Sequence, residues 1–162
     1  MVHLMPPRMD IVEELSGALE ALRGAGVPHA LCGGFALAVH GSPRATKDID
    51  FLVPEADVAR AERALGPAGF TLRAGPIAFG AGTPLERRLQ RLTKVAGGEQ
   101  LTIDLMLVTR VYEPVWAGRM EVLWEGRVVP VVSREGLIAM KRLAGRPQDL
   151  ADLAALEGTD GP

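Results

Sequence analysis

Residues 27 to 53 carry the strongest fold signal in this chain. Residues 27–32 form an apolar run that predicts a short buried strand. Gly33-Gly34 interrupts the run, and residues 35–40 then have helical spacing. A Gly-Ser-Pro triplet ends that helix, and a polar loop leads into a second strand. Two strands joined through a helix predict a sheet with helices packed against it.

The second strand begins with two acidic residues. It reads Asp48-Ile49-Asp50 and continues as an apolar run to Val53. Side chains alternate along a strand, so Asp48 and Asp50 point to the same side. At about 5 Å and an effective dielectric constant of about 20, two carboxylates repel each other by about 3 kcal/mol. A bound Mg²⁺, which prefers oxygen ligands, relieves that repulsion, and so does protonation of one carboxyl.

The glycine pair suits a phosphate group. Gly33 and Gly34 have no Cβ, so their backbone amides can approach a ligand closely, and they stand where the helix is expected to begin. A phosphate-binding turn beside a pair of metal-binding carboxylates is typical of phosphoryl and nucleotidyl transfer. The stretch therefore predicts an active site as well as a fold.

The order of these residues is similar to a known signature. It reads Gly33-Gly34-x-Ala36-x-x-x-His40-Gly41-x-x-Arg44-x-Thr46-x-Asp48-Ile49-Asp50 and resembles that of the polymerase-β-type nucleotidyltransferase superfamily. It is most similar to the small prokaryotic branch, which includes minimal nucleotidyltransferases, antibiotic nucleotidyltransferases and AbiEii-like toxins. The resemblance covers residues 27–156. It implies an α/β (α+β) fold in which a small, mixed, twisted sheet is flanked by helices.

The same resemblance implies a third carboxylate on a neighbouring strand, and Asp104 matches that place. Residues 101–108 are apolar apart from Thr102 and Asp104. A carboxylate in a buried strand is costly unless it is paired or binds a metal. We therefore expect Asp104 to belong to the site. The alternative is an aspartate at a strand end that forms a salt bridge with an arginine.

The resemblance implies a site of nine residues. The expected catalytic residues and Mg²⁺ ligands are Asp48, Asp50 and Asp104, and the expected nucleotide-binding residues are Gly33, Gly34, Arg44, Thr46, Lys47 and Lys141. Arg44, Lys47 and Lys141 could instead be solvated charges, and Thr46 could bond the loop backbone. Many relatives have a serine directly after the glycine pair, whereas this chain has Phe35 and so lacks one hydroxyl donor to the phosphates.

The rest of the chain predicts helices and strands around this stretch. Expected helices cover residues 11–23 with Asp10 as the cap, 55–65, 111–117, 134–144 with Ser133 as the cap, and 148–156. Expected strands cover 70–73, 120–124, 127–132, and 89–95 paired in a hairpin with 101–108. The alternative for residues 85–96 is a helix that carries their polar side chains on one side. Residues 75–84 are expected to form a surface loop, with a mobile flap near the site as the alternative. Leu150 and Ala154 are expected to face inward with Leu153 and Leu156.

Length and composition predict one domain in the cytoplasm. At 162 residues and 48% hydrophobic content, a single nucleotidyltransferase-like domain over 1–162 is expected, with its core in 27–156. A net charge of −2 gives no bulk attraction to nucleic acid. The single cysteine, Cys32, excludes an internal disulfide and fits a reducing compartment. Neither a signal peptide nor a membrane-spanning run is predicted.

Together these features predict an enzyme that uses Mg²⁺ to move a nucleoside monophosphate from an NTP, such as ATP, to a hydroxyl or phosphate acceptor. The acceptor could be a small molecule, a protein side chain or a tRNA end. A second copy of the chain or an antitoxin partner could supply a missing wall of the cleft. The alternative function is that of a toxin–antitoxin component with this fold that acts mainly through protein binding, with little or no catalysis.

Overall fold

A computed structural model describes residues 9–158 of the chain. Within these residues, seven strands form one sheet. In chain order they are β1 (Ala30–Cys32), β2 (Asp48–Val53), β3 (Leu72–Phe79), β4 (Arg87–Ala96), β5 (Glu99–Leu107), β6 (Met120–Trp124) and β7 (Arg127–Val131). Their spatial order is β3-β4-β5-β2-β1-β7-β6. The pairs β2–β5 and β1–β7 are parallel and the other neighbours are antiparallel. The predicted mixed sheet is confirmed.

Six α-helices accompany the sheet within the same residues. They are α1 (Ile11–Gly24), α2 (Gly33–Val39), α3 (Val58–Leu65), α4 (Glu113–Ala117), α5 (Arg134–Ala144) and α6 (Pro147–Gly158). Short 3₁₀ turns occur at Glu55–Asp57, Gly66–Ala68 and Arg110–Tyr112. The two predicted caps are confirmed: the Asp10 carboxylate accepts hydrogen bonds from the Val12 and Glu13 amides, and the Ser133 hydroxyl accepts one from the Gly136 amide.

The helices cover both faces of the sheet. On one face α1 and α3 pack together, and Lys94 of β4 reaches Glu14 of α1 at 2.8 Å. On the other face α2 packs against β1, β2 and α5, and α5 packs against α6. The central strands are buried between the layers, with Ile49, Phe51 and Ile103 fully inaccessible to solvent. Because both faces of the central strands are buried, a carboxylate within them is costly unless it is paired.

Several predicted boundaries differ from the structure. The first strand is shorter than predicted, because residues 27–29 lead into β1 without joining the sheet. The predicted loop at 75–84 begins as strand: β3 runs to Phe79 with a register shift between Ala74 and Ile77, where the Gly75–Pro76 peptide bond is cis. The hairpin is confirmed, and its first arm is longer than residues 89–95 because β4 pairs along its whole length with β5 or β3.

The inward face of the last helix was predicted wrongly. Leu150 is 57% exposed and Ala154 is also exposed, whereas Asp149 and Asp152 are buried beside Leu153 and Leu156. The cause lies in ion pairs with α5 and the α2–β2 loop, described below. No helix among the described residues has the length and apolarity needed to cross a membrane. The termini, residues 1–8 and 159–162, lie outside the described part, so the predicted extent of the domain stays a prediction there.

Candidate functional site

The acidic residues are brought together by the parallel pairing of β2 with β5. Asp50 stands directly beside Asp104, and Asp48 stands beside Thr102 two positions away. Paired residues on neighbouring strands point to the same face, and so do residues two apart on one strand. The three carboxylates therefore share one face of the sheet, toward α2 and α5. Asp48 is exposed, Asp50 is partly buried and Asp104 is 6% exposed.

The glycine pair lies against this acidic group. Gly33 has φ of +66°, a left-handed conformation that side chains rarely adopt, and a Cβ there would lie 2.1 Å from Asp50 Oδ2. At Gly34 a Cβ would lie 2.7 Å from Thr46 Oγ1. Neither position has room for a side chain, because the Asp50 carboxylate and the Thr46 side chain pack directly against the backbone between β1 and α2.

All nine residues predicted for the site line a single cavity of about 470 Å³. The cavity also includes residues that were not predicted, among them Arg91, Tyr112, Arg146 and Asp149. A larger cleft of about 730 Å³ lies between α3 and the strands β3 and β4, and none of the predicted residues lines it. The smaller cavity is therefore the candidate active site.

Asp48 and Asp50 lie near several cations but are not paired with any of them in the described part of the chain. Among residues 9–158, neither carboxylate forms an ion pair. Burial, together with the carboxylates of Asp104 and Asp48, raises the pKa of Asp50 to about 7. Burial and Asp104 also raise the pKa of Asp48. Such unmatched negative charge suits a bound cation.

Asp104 differs from the other two because an arginine already binds it. Arg91 Nε donates to Asp104 Oδ1 at 2.8 Å, and Arg91 Nη2 donates to Asp104 Oδ2 at 3.0 Å. The salt bridge to an arginine, held open as an alternative by the sequence, is thus present. Within residues 9–158 no three acidic, histidine or cysteine side chains are grouped closely enough to hold one metal ion.

The donor set nevertheless fits an oxygen-preferring cation such as Mg²⁺. Asp48 and Asp50 offer two free carboxylates on one side of a strand, which is the number that Mg²⁺ commonly takes from a protein when phosphates supply further oxygens. Burial and the carboxylates of Asp104 and Asp48 raise the pKa of Asp50, so a cation beside these groups would stabilise its charged form. Each Asp104 oxygen already accepts one hydrogen bond from Arg91, so its charge is partly matched within the protein.

Lys141 and Arg44 are held by the two aspartates of α6 that sequence reasoning missed. Lys141 Nζ lies 2.9 Å from Asp152 Oδ2 and 3.4 Å from Asp149 Oδ1. Arg44 Nε lies 2.7 Å from Asp152 Oδ1. Burial alone would raise the pKa of Asp152, but hydrogen bonds from Arg44 and Lys141 lower it to about 2. Arg146 binds Asp149 in the same way at 2.7 Å. This ionic cluster, defined by these five residues, closes one wall of the cavity.

The remaining predicted residues occupy the loop before β2. Thr46 Oγ1 donates to the Asp48 carbonyl at 3.1 Å, so its hydroxyl serves the loop backbone. Lys47 is exposed at the cavity. Phe35 is buried and packs edge-on against Trp124, with 6.3 Å between the ring centroids. The side chain that replaces the usual serine is therefore part of the core, and it does not line the cavity.

Solved structures of other proteins share the fold of this chain. A protein from Thermotoga maritima described as a nucleotidyltransferase is 16% identical, with a TM-score of 0.63, and the alignment covers 92% of this chain and 93% of that one. The lincomycin-bound lincosamide antibiotic adenylyltransferase LnuA is 17% identical, with a TM-score of 0.60 and coverage of 90% and 95%. ANT(2″)-Ia in complex with adenylyl-2″-tobramycin is 17% identical, with a TM-score of 0.62 and coverage of 93% and 90%. At these identities the likeness shows the fold alone.

The family is shown by the sequence match. Among curated proteins none matches the chain. The family model described as nucleotidyl transferase AbiEii toxin, type IV toxin–antitoxin system, matches residues 18–162, which include all nine predicted site residues. This chain therefore belongs to the AbiEii family of nucleotidyltransferase toxins and is a transferase by class.

Proposed function

We propose that this protein transfers a nucleoside monophosphate from an NTP to a hydroxyl or phosphate acceptor, with Mg²⁺ as its cofactor. The observation that carries the proposal is the placement of Asp48, Asp50 and Asp104 on one face of β2 and β5, beside Gly33. Three carboxylates next to a side-chain-free turn are suited to a metal and a polyphosphate together.

The metal would be held by Asp48 and Asp50, with Asp104 as the third ligand. When bound, it neutralises charge on the triphosphate and on the departing pyrophosphate. The amides of Gly33 and Gly34, together with the exposed Lys47, bind the β and γ phosphates in this proposal. Asp104 orients the acceptor hydroxyl and takes its proton. The acceptor oxygen forms a bond to the α phosphorus while the bond from that phosphorus to the pyrophosphate oxygen breaks.

Arg44, Thr46 and Lys141 have a more indirect part in this proposal. Their polar atoms already bind Asp152 and the loop backbone. They keep the loop and α5 in place around the nucleotide. Their existing bonds leave them little capacity to contact the nucleotide directly. Lys47 and the two glycine amides then remain as the direct phosphate ligands.

A second candidate function is toxicity through protein binding with little catalysis. The family description, which names toxins of toxin–antitoxin systems, supports an antitoxin partner. Phe35 in place of the usual serine and the engagement of Asp104 by Arg91 also favour weak catalysis. Retention of all three carboxylates favours the enzyme.

Transfer of labelled phosphate tests the proposal without knowledge of the acceptor. The protein is incubated with Mg²⁺, each of the four α-³²P-labelled NTPs and a cell extract, and the label is separated into protein, nucleic acid and small-molecule fractions. We expect label in one fraction, lost in the Asp50→Ala variant and in EDTA. Equal labelling by that variant, or no labelling by the intact protein with any NTP, would contradict the proposal and favour the binding role.

A further inference from the structure

We infer that Arg91 competes with the metal ion for Asp104: the guanidinium holds the carboxylate when no cation is present and releases it when one binds. This inference rests on the proposed function, because it concerns the same three carboxylates. It adds a positioning residue that exchanges its partner during the binding of the cofactor.

Arg91 donates a hydrogen bond to each of the two carboxylate oxygens of Asp104. Two parallel hydrogen bonds of 2.8 and 3.0 Å join Nε to Oδ1 and Nη2 to Oδ2. Bidentate pairs between arginine and carboxylate are among the strongest hydrogen-bonded pairs in proteins. A cation that approaches Asp104 from the side of Arg91 competes with the guanidinium for the lone pairs of the same two oxygens.

The two partners differ in their freedom to move. The Asp104 side chain is 9% exposed and sits on a central strand, whereas the Arg91 side chain is 44% exposed on β4. Among residues 9–158, Arg91 has no other ion-pair partner. The guanidinium can therefore swing into solvent or toward the phosphates while the carboxylate stays in the cavity.

The hairpin keeps the competitor within reach. Arg91 is the cross-strand partner of Asp104 in the β4–β5 ladder, and β4 is held on its other side by β3. Backbone pairing fixes this register, so Arg91 stays opposite Asp104 whether or not a cation is bound. The backbone of Arg91 therefore stays beside the proposed metal site, and its guanidinium can return to Asp104 when the cation leaves.

The test is titration calorimetry of the full chain with Mg²⁺ alone. Four proteins are compared: the wild type, Arg91→Gln, Arg91→Lys and Arg88→Gln as the matched control. Arg88 lies on the same strand, three residues away, and points to the opposite face, where it binds Glu55. Arg88→Gln therefore removes the same charge without freeing Asp104. Circular dichroism checks that each variant is folded.

We expect Arg91→Gln to bind Mg²⁺ about tenfold more tightly than the wild type, the effect of losing a charge-assisted pair that competes with the cation. Arg91→Lys keeps the charge but cannot make the two-point contact, so it should bind with intermediate affinity. Arg88→Gln should match the wild type.

Equal or weaker binding by Arg91→Gln would overturn the inference and leave the proposed function intact, provided that Mg²⁺ binding in the wild type requires Asp48 and Asp50. An equal gain in Arg91→Gln and Arg88→Gln would also overturn it, since the gain would then come from net charge. Absence of Mg²⁺ binding in the wild type and in both Arg91 variants would overturn the inference and the proposed metal site together.

Discussion

Gly33 and Asp50 approach each other so closely that a Cβ at position 33 would lie 2.1 Å from Asp50 Oδ2. Gly33 begins α2 with φ of +66°, and Asp50 stands beside Cys32 in the β1–β2 ladder. The glycine that begins α2 is thus in contact with the carboxylate expected to bind the metal. The proposed phosphate site and the proposed metal site are therefore parts of one local structure.

Replacing Gly33 by alanine should damage this structure more than the backbone strain alone accounts for. Gly33→Ala forces Asp50 to move, so Mg²⁺-dependent nucleotide binding should fall by at least about tenfold, the effect expected when a ligand carboxylate is displaced. The left-handed conformation should cost a further 1–2 kcal/mol of stability, as an approximate value. Calorimetry and urea unfolding measure the two effects.

Gly26→Ala is the matched control for that change. Gly26 has φ of +67°, and a Cβ there would meet no atom within 4 Å. It should lose the same stability, about 1–2 kcal/mol, and keep its nucleotide affinity. If Gly33→Ala bound nucleotide as well as Gly26→Ala does, the close approach of Gly33 to Asp50 would not be needed for nucleotide binding.

Asp50 should make the metal-free protein less stable as the pH rises. Its pKa is raised from 3.8 to about 7 in the folded state. A carboxyl that binds its proton more tightly when folded stabilises the protein fully below pH 3.8, and that contribution is lost as the pH rises through about 7. Asp50→Asn removes this loss, so in EDTA the variant should exceed the wild type by about 4 kcal/mol at pH 8.

The comparison is made by urea unfolding at pH 5 and pH 8, with Glu121→Gln on the exposed edge strand β6 as the control. The advantage of Asp50→Asn should be larger at pH 8 than at pH 5, and the control should show no such difference. An advantage that stays constant between the two pH values would show that Asp50 has no raised pKa.

Lys141 should be a main determinant of stability at the wall of the cavity. It is 6% exposed, and its removal by Lys141→Gln leaves Asp149 and Asp152 buried with one cation fewer. Breaking a buried ion pair in this way should cost about 3 kcal/mol. On the same helix, Arg142→Gln breaks an exposed pair with Glu157 and should cost less than about 1 kcal/mol. Similar losses in the two variants would refute the structural role of the ionic cluster.

Restoring the serine common in relatives should not improve the site. Phe35→Ser removes a buried ring that packs against Trp124, so it should cost about 3 kcal/mol of stability. Because the side chain does not line the cavity, nucleotide affinity should not rise. Phe35→Leu, which keeps most of the apolar volume, should lose about half as much or less. A gain in nucleotide affinity in Phe35→Ser would show that position 35 faces the phosphates.

The sequence was most informative where local pattern and chemistry agree. The Gly-Gly pair, the Asp-x-Asp strand and the apolar strand around Asp104 led to five of the residues that line the cavity, and the family resemblance added Arg44, Thr46, Lys47 and Lys141. The position of Arg91 opposite Asp104 could also have been predicted from the sequence. Ala96 pairs with Glu99 across the two-residue Gly97-Gly98 turn, and counting back along the hairpin places Arg91 opposite Asp104.

Tertiary contacts decide what the pattern could not predict. The hydrophobic pattern of α6 predicted that Leu150 faces inward. In the structure, ion pairs with Lys141 and Arg44 place Asp149 and Asp152 on the inward face instead. Glycine and proline predicted a loop at 75–84, but pairing with β4 extends β3 through a register shift to Phe79. Both errors arise because partners distant in the sequence outweigh local preference.

The most direct measurement is calorimetric titration of the protein with ATP, GTP, CTP and UTP, with and without Mg²⁺, alongside Asp48→Asn and Asp50→Asn. We expect at least one nucleotide to bind only when Mg²⁺ is present, and we expect this binding to be lost in both variants. Failure of every nucleotide to bind, or Mg²⁺-dependent binding that persists unchanged without these carboxylates, would contradict a nucleotide site built on Asp48 and Asp50.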